Sequence, residues 1–398
     1  MKRLTLVAAL AFACTTPVTG PSPAPPAAST SSAPATAAPT SPPPQPSLAP
    51  LGQIQNGPVQ LLSARVGWVG TAVGLQKTTD GGASWRTVNF SETFGSLRFV
   101  DEQRGWATLV AAPVGKATHA DCPTTAPVRC EIIATTTDGG ANWTDRIVVP
   151  LAAQLGPIAS GPVAIQAVDG SLAWALVPSN RCDPNGCASE LRKTTDGGRT
   201  WSVQRTGALQ GLRIASAQRG WLVASRAPAN GSNVLTTADG GATWTISVTT
   251  PVDPVISIEA ANELVAWLLT RDGGTCTASN CQKYDLRITS DGGNNWTDLG
   301  NPKDQACATG HIAGPLFASP TVGWAGLTLG AGGAEGTGGL MRTTDGGKTW
   351  TCATSPSNVG AISAADPDDV WARSDRRENA TSLLFASSDG GRTWKQLR

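Results

Sequence analysis

The chain has 398 residues, with 30 Lys and Arg against 29 Asp and Glu and a formal net charge of +1. That balance excludes the basic stripe on which phosphate-backbone binding depends, so no nucleic-acid partner is expected. The 45 glycines and 29 prolines suit many tight turns, and the length fits either two or three ordinary domains or one repeat array.

Met1-Lys2-Arg3 precedes an apolar run, residues 4–13, giving the charged and hydrophobic regions of an export signal over 1–13. The run is too short to span a bilayer. Ala11-Phe12-Ala13 followed by Cys14 resembles a bacterial lipoprotein signal, which implies lipidation of the Cys14 thiol; ordinary secretion is the alternative. Residues 14–50 are Pro, Ser, Ala and Thr with almost no charge, an extended tether that holds a folded head away from a membrane or through a wall layer.

A phrase that returns seven times organises the rest. Thr79-Asp80-Gly81-Gly82-Ala83-Ser84-Trp85 is followed by the same pattern from Asp138 to Trp143, Asp196 to Trp201, Asp239 to Trp244, Asp291 to Trp296, Asp345 to Trp350 and Asp389 to Trp394. Steps of about 43 to 58 residues are those of a four-stranded propeller blade with variable loops. A second series, Trp68, Trp106, Trp174, Trp221, Trp267, Trp324 and Trp371, precedes the phrases, mostly in Gly-Trp pairs, and the two series account for all 14 tryptophans. Equal multiplicity and order predict an all-β fold: a seven-bladed β-propeller over 51–398, its blades four-stranded antiparallel sheets with an Asp box in each.

Blade one is expected to place strands at 59–64, 67–74, 75–79 and 85–90. Blade two follows with 97–100, 105–110 and 131–136 and an insertion at 111–129. Blade three runs from about residue 163 through Trp174, a loop at 178–190 and a strand at 191–195. Blades four to seven open at 212–216, 255–260, 315–318 and 359, and blade six carries a glycine-rich loop at 330–339. Contiguous blades close the ring by packing blade one on blade seven; the alternative is a clasp in which 51–56 adds to blade seven.

The spelling of the repeat has a physical reason. A short carboxylate accepts the unpaired N–H groups of a hairpin turn, glycine supplies backbone angles that other residues resist, and the tryptophan opens the outer strand with a large apolar ring. The seven aspartates are therefore expected to be structural, not catalytic or calcium-binding, since no denser acidic loop accompanies them. Eight cysteines remain after Cys14, with local pairs Cys122/Cys130, Cys182/Cys187 and Cys276/Cys281 in loops before the boxes. Cys307 and Cys352 are left for a longer link between blades five and six. Such usage suits an oxidising compartment. His119 beside Cys122 lacks the further ligands of a zinc site, so no metal is expected.

The phrase Ser/Thr-x-Asp-Gly-Gly-x-x-Trp resembles the Asp-box, or BNR, repeat of sialidases, sortilin-like receptors, xyloglucan-degrading glycosidases and photosystem II assembly factors. Leu-x-Lys/Arg-Thr-Thr-Asp, at 75–80, 191–196 and 340–345, with the Gly-Trp second strand, is most similar to the seven-bladed photosystem II stability and assembly factor group and its exported bacterial relatives. That resemblance implies a noncatalytic scaffold that binds membrane-protein intermediates. The rich cysteine loops and the tether depart from the group, so protein binding carries over and the photosystem client does not.

A sialidase-like site needs an arginine cluster, a tyrosine nucleophile with an acidic partner and an acid/base carboxylate. The single tyrosine, Tyr284, lies on a strand entering the fifth box, where packing is expected, and the Arg-Ile-Pro phrase is absent. A glycosidase needs two opposed carboxylates; Glu92, Asp101, Asp169, Glu259, Asp366 and Asp369 stand outside the boxes, but no spacing pairs them. His119 and His311 have no serine elbow or reduced cysteine to serve, and no phosphate-cradling motif indicates a nucleotide cofactor. Lys77, Arg192, Lys193, Arg287 and Arg342 recur on third strands and are candidates for a basic binding band or, alternatively, cations that shield strand edges. The expected partner is an envelope or membrane protein, with a glycan as the alternative, bound by a monomer at the cell surface.

Overall fold

The computed structural model describes residues 50–54, 57–90, 92–111, 129–151, 164–183, 186–226, 231–271, 283–302, 311–328, 339–353, 356–375 and 382–398. The leader, Cys14, most of the tether, the 330–338 part of the glycine-rich loop, His119, Cys122, Cys276, Cys281 and Cys307 lie outside them. The described residues belong to one compact unit, 46–398.

Seven sheets follow one another along the chain, each of four consecutive antiparallel strands. The inner strands are Val59–Leu61, Phe94–Phe99, Ala164–Ala167, Leu209–Ile214, Val255–Ala260, His311–Phe317 and Val359–Ala364. Each lies against the next, and that of blade seven returns to that of blade one, closing the ring. Second strands are buried along most of their length, as in Gly67–Thr71 and Ala266–Arg271, because neighbouring blades cover both faces and leave no solvent side to alternate with. Outer strands such as Ser202–Gly207 face solvent.

The second-strand tryptophans form the seams. All seven are at most 2% exposed. Trp68 stacks on Phe99 of blade two with centroids 3.7 Å apart, and Trp267 on Phe317 of blade six at 3.5 Å. The glycine that precedes such a tryptophan makes room for a neighbour: a Cβ on Gly67 would come within 2.5 Å of the Trp371 ring of blade seven.

Closure combines both expected routes. Every blade is contiguous, and Leu61 N donates to the Ser363 hydroxyl across the blade seven–blade one seam at 2.9 Å. In addition the segment before blade one runs along it, with Gly52 N on Gln76 Oε1 at 2.7 Å and Ala72 N on Gln53 O at 2.8 Å. It then reaches blade seven, where Ile54 bridges Ser382 in antiparallel register and Ser382 N donates to Ile54 O at 2.8 Å. Ile54 is 2% exposed, packed with Leu61, Trp85, Trp371 and Leu397.

Two details differ from expectation. The stretch 178–190 is not a loop: the ladder continues through Pro178↔Ser189 to Cys182↔Cys187 and Asp183↔Gly186, so backbone groups satisfy one another up to the hairpin tip. Cys182 and Cys187 are thus register partners. Inner strands of blades two, four and six start earlier than expected, at Phe94, Leu209 and His311, each with a register irregularity near its start. One extra residue shifts the in/out alternation and hides the first turn of the strand from a period-two reading. Cys130 and Cys352 are disulfide-bonded, and their expected partners, Cys122 and Cys307, lie outside the described residues.

Candidate functional site: the central channel and the turn face

The seven Asp-Gly-Gly turns repeat one hydrogen-bond pattern. In blade one the Thr78 hydroxyl donates to Asp80 Oδ1 at 2.8 Å and accepts from the buried Gly82 N–H at 2.9 Å. Asp80 accepts from Ser84 N at 2.9 Å and from the Ser84 hydroxyl at 2.5 Å. Thr136, Thr194, Thr237, Thr289, Thr343 and Ser387 do the same beside Asp138, Asp196, Asp239, Asp291, Asp345 and Asp389. Gly81 and Gly82 adopt φ of 76° and 91°, angles that favour glycine. The hydroxyl two residues before each aspartate stands in the Ser/Thr-x-Asp-Gly-Gly-x-x-Trp phrase, but the sequence reading gave it no role; the structure makes it the hub of the turn.

These donors keep the carboxylates ionised. Burial pushes the Asp80 carboxyl up, but bonds from Ser84 and Thr78 outweigh it and hold it at about 2. Asp196, with Thr200 as its main donor, Asp239 with Thr243 and Asp291 with Asn295 are also held at about 2. A carboxylate saturated in this way is a turn cap and a poor base. The indoles of Trp143, Trp201, Trp350 and Trp394 donate to the second glycine carbonyl of their own turns, and Trp296 donates to the Ser247 hydroxyl. The Trp85 and Trp244 indole N–H groups are buried without a hydrogen-bond acceptor among the described residues.

Each turn is also tied to the one between the first and second strands of its blade. Gly81 N donates to Arg65 O, Gly139 N to Gln103 O, and so on through Gly390 N to Asp368 O. That second turn is capped by Ser63, Asp101, Asp169, Ser216, Asn262, Ser319 or Asp366, whose side-chain oxygens accept nearby backbone N–H groups. Asp101, Asp169 and Asp366 are therefore one structural position in three blades.

Third-strand cations lie between blades. Lys77 Nζ donates to Glu102 O of blade two at 3.0 Å and sits 4.8 Å from the Trp68 ring centroid. Lys193 donates to Gly240 O of blade four at 2.7 Å and lies over Trp174 at 4.7 Å, and Arg342 Nε donates to Gly390 O of blade seven at 2.5 Å. Trp68, Trp267 and Trp324 donate to the same class of carbonyl, on Gly139, Gly346 and Gly390. Arg192 pairs with Glu190 at 2.7 Å and Arg287 with Asp285 at 2.8 Å, each within its own strand. Tyr284 is 4% exposed; its hydroxyl accepts from Ile312 N of blade six at 3.3 Å and lies 3.5 Å from His311 Nδ1.

The inner strands bring together a set that the sequence did not display. Opposite each second-strand tryptophan, as its register partner, stands Gln60, Arg98, Gln166, Arg213, Glu259, Leu316 or Ser363. Each precedes its tryptophan by the same interval in the chain. Gln60 bridges to blade two, with Nε2 on Phe99 O at 2.8 Å and Oε1 accepting from Phe99 N at 2.6 Å. Arg213 of blade four meets Glu259 of blade five, NH2 to Oε2, at 3.1 Å and donates to Ala260 O at 3.3 Å. Arg98 and Arg213 line a cavity of about 510 Å3 along the channel, and Glu259 lines an adjoining one of about 260 Å3.

Charge in this channel is unevenly covered, with Arg213 and Glu259 mostly enclosed and Arg98 exposed. Arg98 is exposed to solvent within the channel; nearby protein lowers its pKa, the Arg213 charge lowers it further, and Glu259 opposes both. Burial raises the Glu259 carboxyl, against the pull of Arg213 and Arg98. Among the described residues lining the two cavities, Glu259 is the one carboxylate. No group of three or more His, Cys, Asp or Glu side chains among the described residues is placed to hold a metal ion.

No family model matches the sequence, and no curated protein matches it. Solved structures do. YCF48 bound to D1 peptide is similar at TM-score 0.51 and 18% identity, over 87% of this chain and 95% of that one. The GH74 xyloglucanase from Xanthomonas campestris is similar at TM-score 0.55 and 14% identity, over 87% of this chain and 53% of that one. The tricorn protease is similar at TM-score 0.51 and 9% identity, over 87% of this chain and 35% of that one. This chain thus spans about half the xyloglucanase and about a third of the tricorn protease. At these identities the likeness establishes the propeller fold.

Proposed function

We propose that this chain is an exported propeller that binds a protein partner in the cell envelope without catalysis, anchored by lipid on Cys14 and held off the membrane by the 14–50 tether. Its seven turns belong to the Asp-box class. The observation that carries the reading is the engagement of the repeated chemical groups: each repeated aspartate caps its own turn, and Lys77, Lys193 and Arg342 clasp the neighbouring blade. What remains for recognition is the disc surface and its loops. YCF48, a propeller covered almost end to end by this one, has been seen with a bound peptide, which supports protein binding as the mode.

The glycoside hydrolase neighbours supply the competing reading. It requires two carboxylates flanking one bond, whereas the described channel lining offers Glu259 paired with Arg213. The test is affinity capture by residues 51–398 from an envelope extract of the native organism under nonreducing conditions, with proteins and glycans both identified. A specific envelope protein supports the scaffold reading; a polysaccharide retained and then hydrolysed refutes it. Metabolic labelling with a fatty-acid analogue, lost in Cys14→Ser, tests the anchor.

A further inference from the structure

From the channel geometry we propose a binding site for a single carboxylate group, with Arg98 as its principal ligand and Arg213 as its second. This goes beyond the envelope-binding reading and does not depend on it.

Arg98, Arg213 and Glu259 occupy equivalent register positions on the inner strands of blades two, four and five. Arg213 and Glu259 offset each other. Arg98 makes no hydrogen bond or ion pair with any described residue, its electrostatic partners being Arg213 and Glu259. The trio therefore carries one uncompensated positive charge in a channel walled by protein. A positive charge beside the low-dielectric wall of a channel attracts an opposite one more strongly than it would on a flat open surface.

The pairing of Arg213 with Glu259 is also incomplete. Arg213 Nε is buried without a hydrogen-bond partner among the described residues, and native proteins rarely leave such atoms unmatched. Arg213 thus retains a donor beyond its contact with Glu259. A guanidinium presents a planar fork that matches a carboxylate in two parallel bonds. One carboxylate balances the excess charge, whereas a dianion overshoots it. The cavity that Arg98 and Arg213 line exposes mainly polar surface, which suits a carboxylate on a small or polar body, and about 510 Å3 is room for one small organic acid or one acidic side chain.

The experiment is calorimetric titration of the full-length chain in chloride-free buffer with sodium acetate, sodium sulfate, and an N-acetylated, C-amidated Gly-Asp-Gly peptide. The expected result is saturable binding of acetate at one site, weaker binding of sulfate, and loss of at least about tenfold in acetate affinity in Arg98→Gln, the value of a charge-assisted bond. Binding of the peptide as well, with the same Arg98 dependence, assigns the carboxylate to a polypeptide side chain; acetate alone assigns it to a free acid. Glu259→Gln provides a second variant that adds net positive charge, and it should bind acetate more tightly. No saturable binding of acetate or peptide, equal affinity in Arg98→Gln, sulfate preferred over acetate, or weaker acetate binding in Glu259→Gln would overturn the proposal.

Discussion

Thr343→Val isolates the hydroxyl on which the sixth Asp-Gly-Gly turn depends. The substitution preserves side-chain shape and removes one oxygen. That oxygen donates to Asp345 Oδ1 at 2.9 Å and accepts from the buried Gly347 N–H at 2.9 Å. Asp345 is partly exposed, so water replaces much of what it loses. Gly347 N–H has no such recourse, and an unsatisfied buried donor costs about 1–3 kcal/mol. With about 2.1 cal/mol/K of unfolding entropy per residue over roughly 350 residues, each kcal/mol is worth about 1.4 °C, and the expected fall in Tm is about 1.5–4 °C. Calorimetry of the oxidised chain measures it, with Thr343→Ser as a control that restores the hydroxyl and should melt like the parent. A valine variant within about 0.5 °C of the parent, or a serine variant as unstable as valine, would refute the assignment of the hydroxyl as a turn cap.

Three further outcomes are expected. The aspartates held at about 2 contribute stability that is complete above their ordinary value of 3.8 and is lost as pH falls from there toward 2. Urea midpoints measured across that window should drop steeply with several protons taken up on unfolding, and a flat profile would contradict the pattern. Ile54→Ala should destabilise by about 2–5 kcal/mol, because a fully packed side chain leaves a cavity, and should speed hydrogen exchange at Ser382 N–H; unchanged melting would mean that the clasp is not part of the core. Under nonreducing conditions Cys130 and Cys352 should resist alkylation, and peptide mapping should recover Cys182 linked to Cys187; free thiols at these positions would refute the oxidised state.

The fold was legible because it repeats. A tryptophan that is buried seven times in the same seam leaves a periodic mark, and so does an aspartate that caps seven equivalent turns. What repetition obscured is variation at a fixed place. Gln60, Arg98, Gln166, Arg213, Glu259, Leu316 and Ser363 share one structural position but no residue type, so no motif announces them; only their constant distance ahead of a seam tryptophan does. Bulges added to the difficulty by shifting the alternation of the inner strands. The third-strand cations illustrate the opposite case. Their recurrence was visible, but whether a lysine projects into solvent or across to the next blade depends on blade-to-blade distance, which a sequence does not carry.

The channel position stands partly apart from the framework that presents it. Caps and turn-to-turn bonds are made by the hairpins, whereas the channel set divides: Gln60, Arg213, Glu259 and Ser363 also tie neighbouring blades together, and Arg98, Gln166 and Leu316 make no such bond among the described residues. The ring therefore offers three places, Arg98, Gln166 and Leu316, where a residue can be reset to change the charge and bore of the axis without removing a bond between blades. Variants that differ only at these three settings would form a library in which the axis is altered and the bonds between blades are held constant.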